Sequence, residues 1–320
     1  MSLLHWALIA MIGTIFGASF ALNEVLLDEF GPLTISMLRV CVGAAGCWAW
    51  AIASRKPMRL DLSTLIAVVA FGFFQFAMPF AVLPLAQGQI TSSVAGIANA
   101  MTPVMVVIVS HFWIGGEKAT LRKSIGVGLG MVGTVILLTG GPEIGISDWR
   151  FALLAMTAPL SYAVGLNIVT KLKSIDPVVT TTWAMTGGAF LITPFALVTD
   201  GVPHATDPSV LTSVAFFGIG LTTLPFLMMF TILPRVGATN LSLVTFVAPV
   251  SALTIGAFAL HEPTGTSQFA GLTLIMLALV TLDGRLLGRL SRLEKSRPQQ
   301  GRLDRPHQSV ITAHSRKTEN

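Results

Sequence analysis

The chain has 320 residues, of which 53% are hydrophobic and only 11% are Asp, Glu, Lys or Arg. Soluble domains carry roughly 25% charged residues. The composition therefore excludes an ordinary soluble protein and predicts that lipid surrounds most of the chain. The net charge of +5 is concentrated in a few connections and in the C-terminal tail, so it is informative about topology.

Ten apolar segments have the length of membrane-spanning helices. They lie at about residues 5–25, 33–53, 62–84, 91–113, 121–139, 149–170, 178–198, 209–233, 239–260 and 266–284, close to the roughly 20 residues that one crossing needs. No segment shows the two-residue alternation of a barrel strand. We do not expect the first segment to be a signal peptide, because no Lys or Arg precedes it and nine comparable segments follow.

The basic residues predict the orientation of these spans. If the N-terminus is cytoplasmic, the inside connections with adjoining helix ends and the tail carry 18 of the 20 Lys and Arg residues. The outside connections carry only Arg150. The positive-inside rule then places both termini in the cytoplasm. We expect a multi-pass protein of the plasma membrane, the inner membrane of a bacterium.

A segment in the first half of the chain returns in the second half. TPVMVVIVSHFWIGGE at 102–117 recurs as APVSALTIGAFALHE at 248–262, with Pro103 and Pro249 separated by 146 positions. Pro79 and Pro225 have the same separation. Such a constant offset indicates two copies of one unit.

Five spans per copy make the second copy enter the membrane from the opposite side. The prediction is an all-α membrane protein of ten transmembrane helices arranged as two inverted five-helix repeats, a plan used by many secondary transporters. The repeats occupy residues 1–140 and 141–284. Residues 285–320 form a basic cytoplasmic tail that we expect to be disordered.

Prolines within the spans indicate where a cavity could lie. Each proline frees the carbonyl four residues earlier, which belongs to Gln75 for Pro79, to Asn99 for Pro103 and to Thr245 for Pro249. Freed carbonyls at membrane depth pack against protein or line a wet cavity. A kink is also expected at Pro159 in the sixth span.

Polar and aromatic residues near these prolines are the candidate substrate-binding set, although packing is the favoured role for each one taken alone. The set is Phe16, Phe20, Gln75, Phe76, Asn99, Tyr162, Asn167, Thr222 and Thr245. Tyr162 is the only tyrosine in the chain, and a buried phenol needs a hydrogen-bond partner.

Ionisable residues within spans are few. Arg39 is costly in lipid unless it pairs or reaches the interface, and we expect an ion pair with Glu24, Asp28 or Glu29 in preference to a substrate contact. His111 is either a hydrogen-bonded structural histidine or a proton-coupling group.

Two carboxylates lie just before spans. Glu117 precedes the fifth span and Glu262 the tenth. Because a carboxylate can bond the free amides at a helix start, both are expected to be structural.

Enzyme signatures fail their structural tests. GLGMVG at 128–133 matches a dinucleotide-binding pattern but lies inside an apolar span with no strand before it. The spacing of Cys and His predicts no metal site. We predict no enzymatic activity, no cofactor and no nucleic-acid partner.

These motifs together resemble the EamA-type exporters of the drug/metabolite transporter superfamily. The likeness rests on Leu-Arg-Val at 38–40, on ANAMTPV…GGE with Gly126, and on FVAPVSA…LHE with Gly271. It covers residues 1–284. It implies a cavity between spans 1, 3, 4, 6, 8 and 9, and export of small metabolites, often amino acids, by proton exchange or facilitated diffusion. The sequence departs from the family at 160–162, Leu-Ser-Tyr, where a tryptophan is frequent.

The leading hypothesis is a secondary transporter, an exporter of small neutral or zwitterionic metabolites such as amino acids or their derivatives, working by alternating access. Carriers of sugar phosphates need clustered Lys or Arg within the membrane, and only Arg39 is available. A membrane-embedded enzyme or a sensor without transport is the alternative. Proton coupling and oligomeric state stay open.

Overall fold

The computed structural model describes residues 2–87, 89, 98–139, 149–204, 207–259 and 266–283. All regular elements in these ranges are helices. They are α1 Leu3–Leu27, α2 Pro32–Ala53, α3 Leu62–Gly72, α4 Met78–Gln87, α5 Thr102–Phe112, α6 Leu121–Thr139, α7 Trp149–Lys171, α8 Pro177–Thr199, α9 Pro208–Gly218, α10 Leu224–Val236, α11 Ala238–Ser242, α12 Val244–Ala259 and α13 Thr266–Asp283. Two π-helical turns, π1 Phe73–Ala77 and π2 Ile219–Thr223, join α3 to α4 and α9 to α10.

Five helical rods are long and apolar enough to cross a membrane. They cover Pro32–Ala53, Leu62–Ala86, Trp149–Lys171, Pro177–Thr199 and Pro208–Val236, with shorter apolar helices at Leu3–Ser19, Ala98–Phe112, Ala238–Ser251 and Phe269–Ala278. Large apolar side chains such as Phe190 and Val198 point away from the protein, 77% and 87% exposed. A surface of this kind requires lipid contact, so the protein is a multi-pass membrane protein.

Local sequence explains where several helices begin. Asp176 and Asp207 precede Pro177 and Pro208, and their carboxylates accept hydrogen bonds from the amides of Val178 and Ser209, both at 2.8 Å. An aspartate cap followed by proline satisfies a free amide and presets the first helical turn.

The π turns have a common cause in the sequence. The amide of Met78 donates to the carbonyl of Phe73, and that of Leu224 donates to the carbonyl of Ile219. Pro79 and Pro225 follow one residue after these donors. Because a proline ring crowds the carbonyl four residues earlier and has no N–H, a wide turn relieves both problems.

The helix contacts occur in pairs in which the two halves of the chain exchange roles. α1 packs on α12 and α5 packs on α7; likewise α3 packs on α8 and α9 packs on α2. The last described helices of the two halves, α6 and α13, pack on each other. Two glycines permit the close approaches. Gly72 lies against the backbone carbonyl of Ala184, and Gly218 lies against Val42, leaving no room for a side chain at either glycine.

Pro103 lies beside an interruption of the helix. The apolar helical stretch Ala98–Phe112 is broken by a turn at Met101, and Pro103 stands in the first turn of α5. The carbonyl of Asn99 accepts a hydrogen bond from the hydroxyl of Thr102 at 2.6 Å. The freed carbonyl is therefore satisfied within its own chain segment.

Some predicted features lie outside the described residues. These are Glu262, the connections at 140–148 and 260–265, and the tail after Asp283.

Candidate functional site

A cavity of about 140 Å³ lies inside the helical bundle. Its wall combines side chains from α1, α2, π1, α4, α7, α10 and α12, with further contributions from α5 and α11. Five of the predicted substrate-binding residues contribute to the wall, namely Phe16, Gln75, Asn99, Tyr162 and Thr245, and so does Pro79.

Ten of the 22 wall residues lie at matching positions in the two halves. The pairs, each separated by 146 positions, are Phe16 with Tyr162, Phe80 with Phe226, Leu83 with Met229, Asn99 with Thr245, and Thr102 with Ala248. The offset of 146 positions, first seen between prolines, thus recurs between side chains that line the same cavity.

Aromatic rings form one side of the cavity. The ring of Phe226 lies 5.1 Å from that of Phe16 and 6.4 Å from that of Phe80, centroid to centroid. Phe76 packs behind them, edge-on to Phe226 at 4.9 Å and completely buried. Phe76 therefore supports the aromatic wall but does not line the cavity.

Two other predicted residues also lie away from the wall. Asn167 is 1% exposed; its amide donates to the carbonyl of Ala163 at 2.8 Å, and its Oδ1 accepts from the hydroxyl of Ser110 at 3.0 Å. Thr222, fully buried, donates to the carbonyl of Phe217 at 2.8 Å. These bonds use the polar atoms of both side chains, so their first role is structural.

Arg39 makes no ion pair with Asp28 or Glu29, two of its three expected partners, and the side chain of the third, Glu24, is outside the described set. Its Nε donates to the hydroxyl of Thr222 at 2.9 Å, and its guanidinium carbon lies 4.5 Å and 4.6 Å from the ring centroids of Phe80 and Phe217. Arg39 also lines the cavity. Aromatic faces stabilise a cation, so this environment tolerates the charge where a carboxylate was expected.

Two buried oxygens of wall residues have no hydrogen-bond partner among the described residues. They are Oε1 of Gln75 and Oδ1 of Asn99. Gln75 is 2% exposed, and its Oε1 lies beside Gly165, which has no side chain. Buried polar atoms in native proteins are nearly always paired, so these two oxygens indicate a position where a partner is missing.

The remaining prolines have positional roles. Pro225 lies in the first turn of α10, whereas Pro159 and Pro249 lie inside α7 and α12. Pro84, which the sequence analysis did not single out, contributes to the cavity wall. The side chain of Phe20 is outside the described set.

Glu117 does not cap the next helix. The amide of Lys123 bonds the hydroxyl of Thr120 at 3.3 Å, and Glu117 forms an ion pair with the side chain of Lys123 at 2.8 Å. The carboxylate of Glu117 also lies against Gly237, between α10 and α11. Glu117 therefore joins α6 to a connection in the other half of the chain.

His111 has a local role in the structure. Its Nδ1 accepts a hydrogen bond from the amide of Ala119 at 3.2 Å, and its carbonyl accepts one from Lys118 at 2.8 Å. It does not line the cavity. This geometry favours the structural reading of His111 over proton coupling.

A second ion pair lies at the start of α8. Lys56 contacts Asp176 at 2.5 Å, and both side chains are about one-third exposed. Partial burial raises the pKa of Asp176, but hydrogen bonds from Lys56 and the Val178 amide outweigh it, so the pKa lies below its ordinary value.

Sequence reasoning missed several wall residues, including Phe80, Phe226 and Ser242. The pair Phe80 and Phe226 carries a signal that could have been used, because it shares the offset of Pro79 and Pro225. Ser242 carries no such signal. Arg39 was singled out as an ionisable residue within a span, but an ion pair was favoured for it over a substrate contact.

Apolar helices that enclose a cavity with a polar and aromatic wall are the features of a membrane transporter. The sequence profile of the EamA-like transporter family matches the chain twice, at residues 4–139 and 149–282. The chain belongs to this family. The two matches together cover nearly all of the described part of the chain.

Related proteins agree with this membership. The uncharacterised transporter YoaV of Bacillus subtilis (strain 168) is 24% identical over 83% of this chain and 92% of its own. An uncharacterised transporter of Archaeoglobus fulgidus is 24% identical over 86% and 96%. Protein PecM of Dickeya dadantii (strain 3937) is 22% identical over 71% and 76%. A solved crystal structure with 20% identity aligns with a TM-score of 0.73 over 90% of this chain and 98% of that chain, which shows the fold.

Proposed function

We propose that this transporter is a secondary exporter of small neutral or zwitterionic metabolites, such as amino acids or their derivatives. The observation that carries the proposal is the internal cavity, whose wall draws matching residues from both halves of the chain. A site shared by two halves can be exposed to either side of the membrane when one half rocks against the other.

The inverted repeat belongs to this proposal. Its support is the double match of the family profile, the two π turns at equal offset and the reciprocal helix packing. We assign the first repeat to residues 1–140 and the second to 141–284, and we place ten spans in the membrane. Alternating access follows from such symmetry, since exchanging the conformations of the two repeats opens the opposite side.

The charges on the wall support the substrate class. Arg39 is the only charged residue among the described wall residues, and no described carboxylate faces the cavity. A multiply charged phosphate ester would need more cations, and an organic cation would need a carboxylate. One cation among aromatic and amide groups suits a molecule with little or no net charge.

The proposed setting is the bacterial inner membrane with both termini in the cytoplasm. The support is the distribution of Lys and Arg among the connections. Whether protons are exchanged is a separate question. A pH gradient in the transport assay answers it.

Counterflow in proteoliposomes tests the function. The purified protein is reconstituted, loaded with one unlabelled amino acid and given a trace of the labelled form, with and without a pH gradient. Saturable uptake above that of protein-free liposomes is expected for at least one compound in a panel of amino acids and derivatives. Absence of flux for the whole panel under every gradient would reject transport and favour a sensor or membrane enzyme.

A further inference from the structure

We propose that Arg39 binds the carboxylate of the substrate and that Gln75 and Asn99 bind its ammonium group, so that the cavity selects small zwitterions. The inference rests on the proposed function and narrows it. It assigns Arg39 a ligand-binding role where the sequence alone favoured a structural ion pair.

The guanidinium of Arg39 is held in a fixed position. One donor, Nε, is used by Thr222 at 2.9 Å. Thr222 of π2 donates a hydrogen bond to the carbonyl of Phe217 in α9. The centroids of the Phe80 and Phe217 rings lie 4.5 Å and 4.6 Å from the guanidinium carbon of Arg39. A preorganised guanidinium loses little freedom when it binds a ligand.

Arg39 also has binding capacity left. A guanidinium has five N–H donors, and the hydrogen bonds of Arg39 to described residues use only Nε. The ion pairs between described side chains are Lys56 with Asp176 and Lys123 with Glu117, and neither involves the cavity. The terminal nitrogens can therefore engage a carboxylate, whose two oxygens match the guanidinium fork.

The opposite charge of a zwitterion has acceptors in the same wall. Oε1 of Gln75 and Oδ1 of Asn99 are buried acceptors without partners, and both residues line the cavity with Arg39. An ammonium group is a donor only. Both oxygens are buried, so the two side chains must rotate toward the cavity to bind it, and binding would then satisfy oxygens that are otherwise left unpaired at an energetic cost.

The cavity also limits the size of the substrate. Its volume of about 140 Å³ is close to the roughly 150 Å³ of an engineered cavity that holds benzene. Without rearrangement, it accommodates a molecule of roughly six to eight non-hydrogen atoms. Small amino acids such as alanine, serine and threonine have this size.

Ligand binding by the intact protein tests the charge requirement without any mutation. Thermal stabilisation in detergent is titrated with alanine, alaninamide and propionate. Alanine should bind at least about tenfold more tightly than either analogue, since each lacks one charge-assisted contact. Equal binding of alaninamide would overturn the role of Arg39. Equal binding of propionate would overturn the role of Gln75 and Asn99.

Variants test the assignment to residues. Arg39→Gln should weaken alanine binding roughly 10- to 100-fold, and Arg39→Lys should retain part of it because the charge remains. Arg235→Gln is the matched control, since Arg235 is exposed, lies away from the cavity wall, and among the described residues donates a hydrogen bond to the carbonyl of Thr231 at 3.3 Å. Unchanged alanine affinity in folded Arg39→Gln would refute the proposal.

A transport assay on the wild type distinguishes failure of this inference from failure of the proposed function on which it rests. If the wild type carries neutral amides as well as zwitterions, the transporter function stands and the charge selection is wrong. If the wild type binds alanine through Arg39 but moves no compound, the site stands and the transport function fails.

Discussion

Phe80 and Phe226 are 146 positions apart in the sequence, and their rings meet at the cavity wall with centroids 6.4 Å apart. Each follows a proline that itself follows a π turn. Residues at matching positions of two copies can touch only near the axis that relates the copies. The contact therefore supports placing the proposed symmetry axis beside the cavity.

Close helix packing at Gly72 and Gly218 predicts a stability effect. We expect Gly72→Ala and Gly218→Ala each to destabilise the protein by about 1–3 kcal/mol, because the added methyl group meets the carbonyl of Ala184 or the side chain of Val42. Gly128→Ala is the control, since nothing lies within 4 Å of its added methyl group. It should be neutral or stabilising by up to about 1 kcal/mol. Thermal unfolding in detergent measures all three; equal effects would contradict the packing.

Asn99 and Tyr162 are expected to affect substrate affinity. Both line the cavity, and the hydroxyl of Tyr162 makes no hydrogen bond to another described residue. Asn99→Ala and Tyr162→Phe should each raise the KM for transport about tenfold with normal expression. Kinetics in proteoliposomes provide the measurement. If neither variant changes transport, this cavity is not the substrate site.

Asn167 should affect stability and leave affinity unchanged. Its side chain is buried and bonded to Ser110 and to the carbonyl of Ala163. Asn167→Ala should lower the free energy of unfolding by about 1–3 kcal/mol. Ser110→Ala should lower it by less in a protein that already carries Asn167→Ala than in the wild type. A double-mutant cycle by thermal unfolding measures this coupling, with alanine binding as the second readout. A large loss of alanine affinity in folded Asn167→Ala would show that Asn167 takes part in substrate binding.

The Lys56–Asp176 pair predicts a pH dependence. The folded-state pKa of Asp176 is lowered, so its contribution is present above the unfolded-state value of about 3.9 and is lost as the pH falls through the folded-state value. The free energy of unfolding of the wild type should exceed that of Asp176→Asn by up to about 1 kcal/mol at pH 5–8, from the ion pair, since asparagine can keep the cap. The melting temperatures of the two proteins should become equal below roughly pH 4. A difference that grows on acidification would contradict this assignment.

Orientation in the membrane can be measured with single cysteines. In a variant lacking Cys41 and Cys47, Lys118→Cys and His204→Cys replace exposed residues in predicted inside and outside connections. An impermeant maleimide applied to intact cells should label position 204, and should label position 118 only after permeabilisation. The reverse pattern would invert the proposed topology.

The sequence was sufficient to predict the class of protein and the positions of the helices. The apolar segments predicted at about 62–84 and 209–233 correspond to the observed rods Leu62–Ala86 and Pro208–Val236. The prediction succeeds because a backbone in lipid must satisfy its own hydrogen bonds. An apolar segment long enough to span the membrane must therefore be a helix, and its ends predict the ends of that helix. The family resemblance is confirmed by the profile match.

The sequence could not predict in the same way which side chains of a helix point into the cavity. Gln75 and Phe76 are neighbours in π1, yet Gln75 lines the cavity and Phe76 packs behind it. Adjacent helical residues point about 100° apart, and a π turn alters that rotation locally. Sequence offsets fixed which residues correspond between the halves, but not which member of each pair faces inward.

Composition by itself determined a lipid-embedded helical protein, because this property is set by each segment's own solvation and periodicity; the repeated plan that the spacing predicts stays a proposal. The surroundings of Arg39 were decided only by tertiary structure. The nearby carboxylates in sequence suggested an ion pair, whereas packing brings Thr222 and Phe217 from the distant second half to the guanidinium. A charge in lipid must find some partner, and only the assembled bundle shows which groups are within reach.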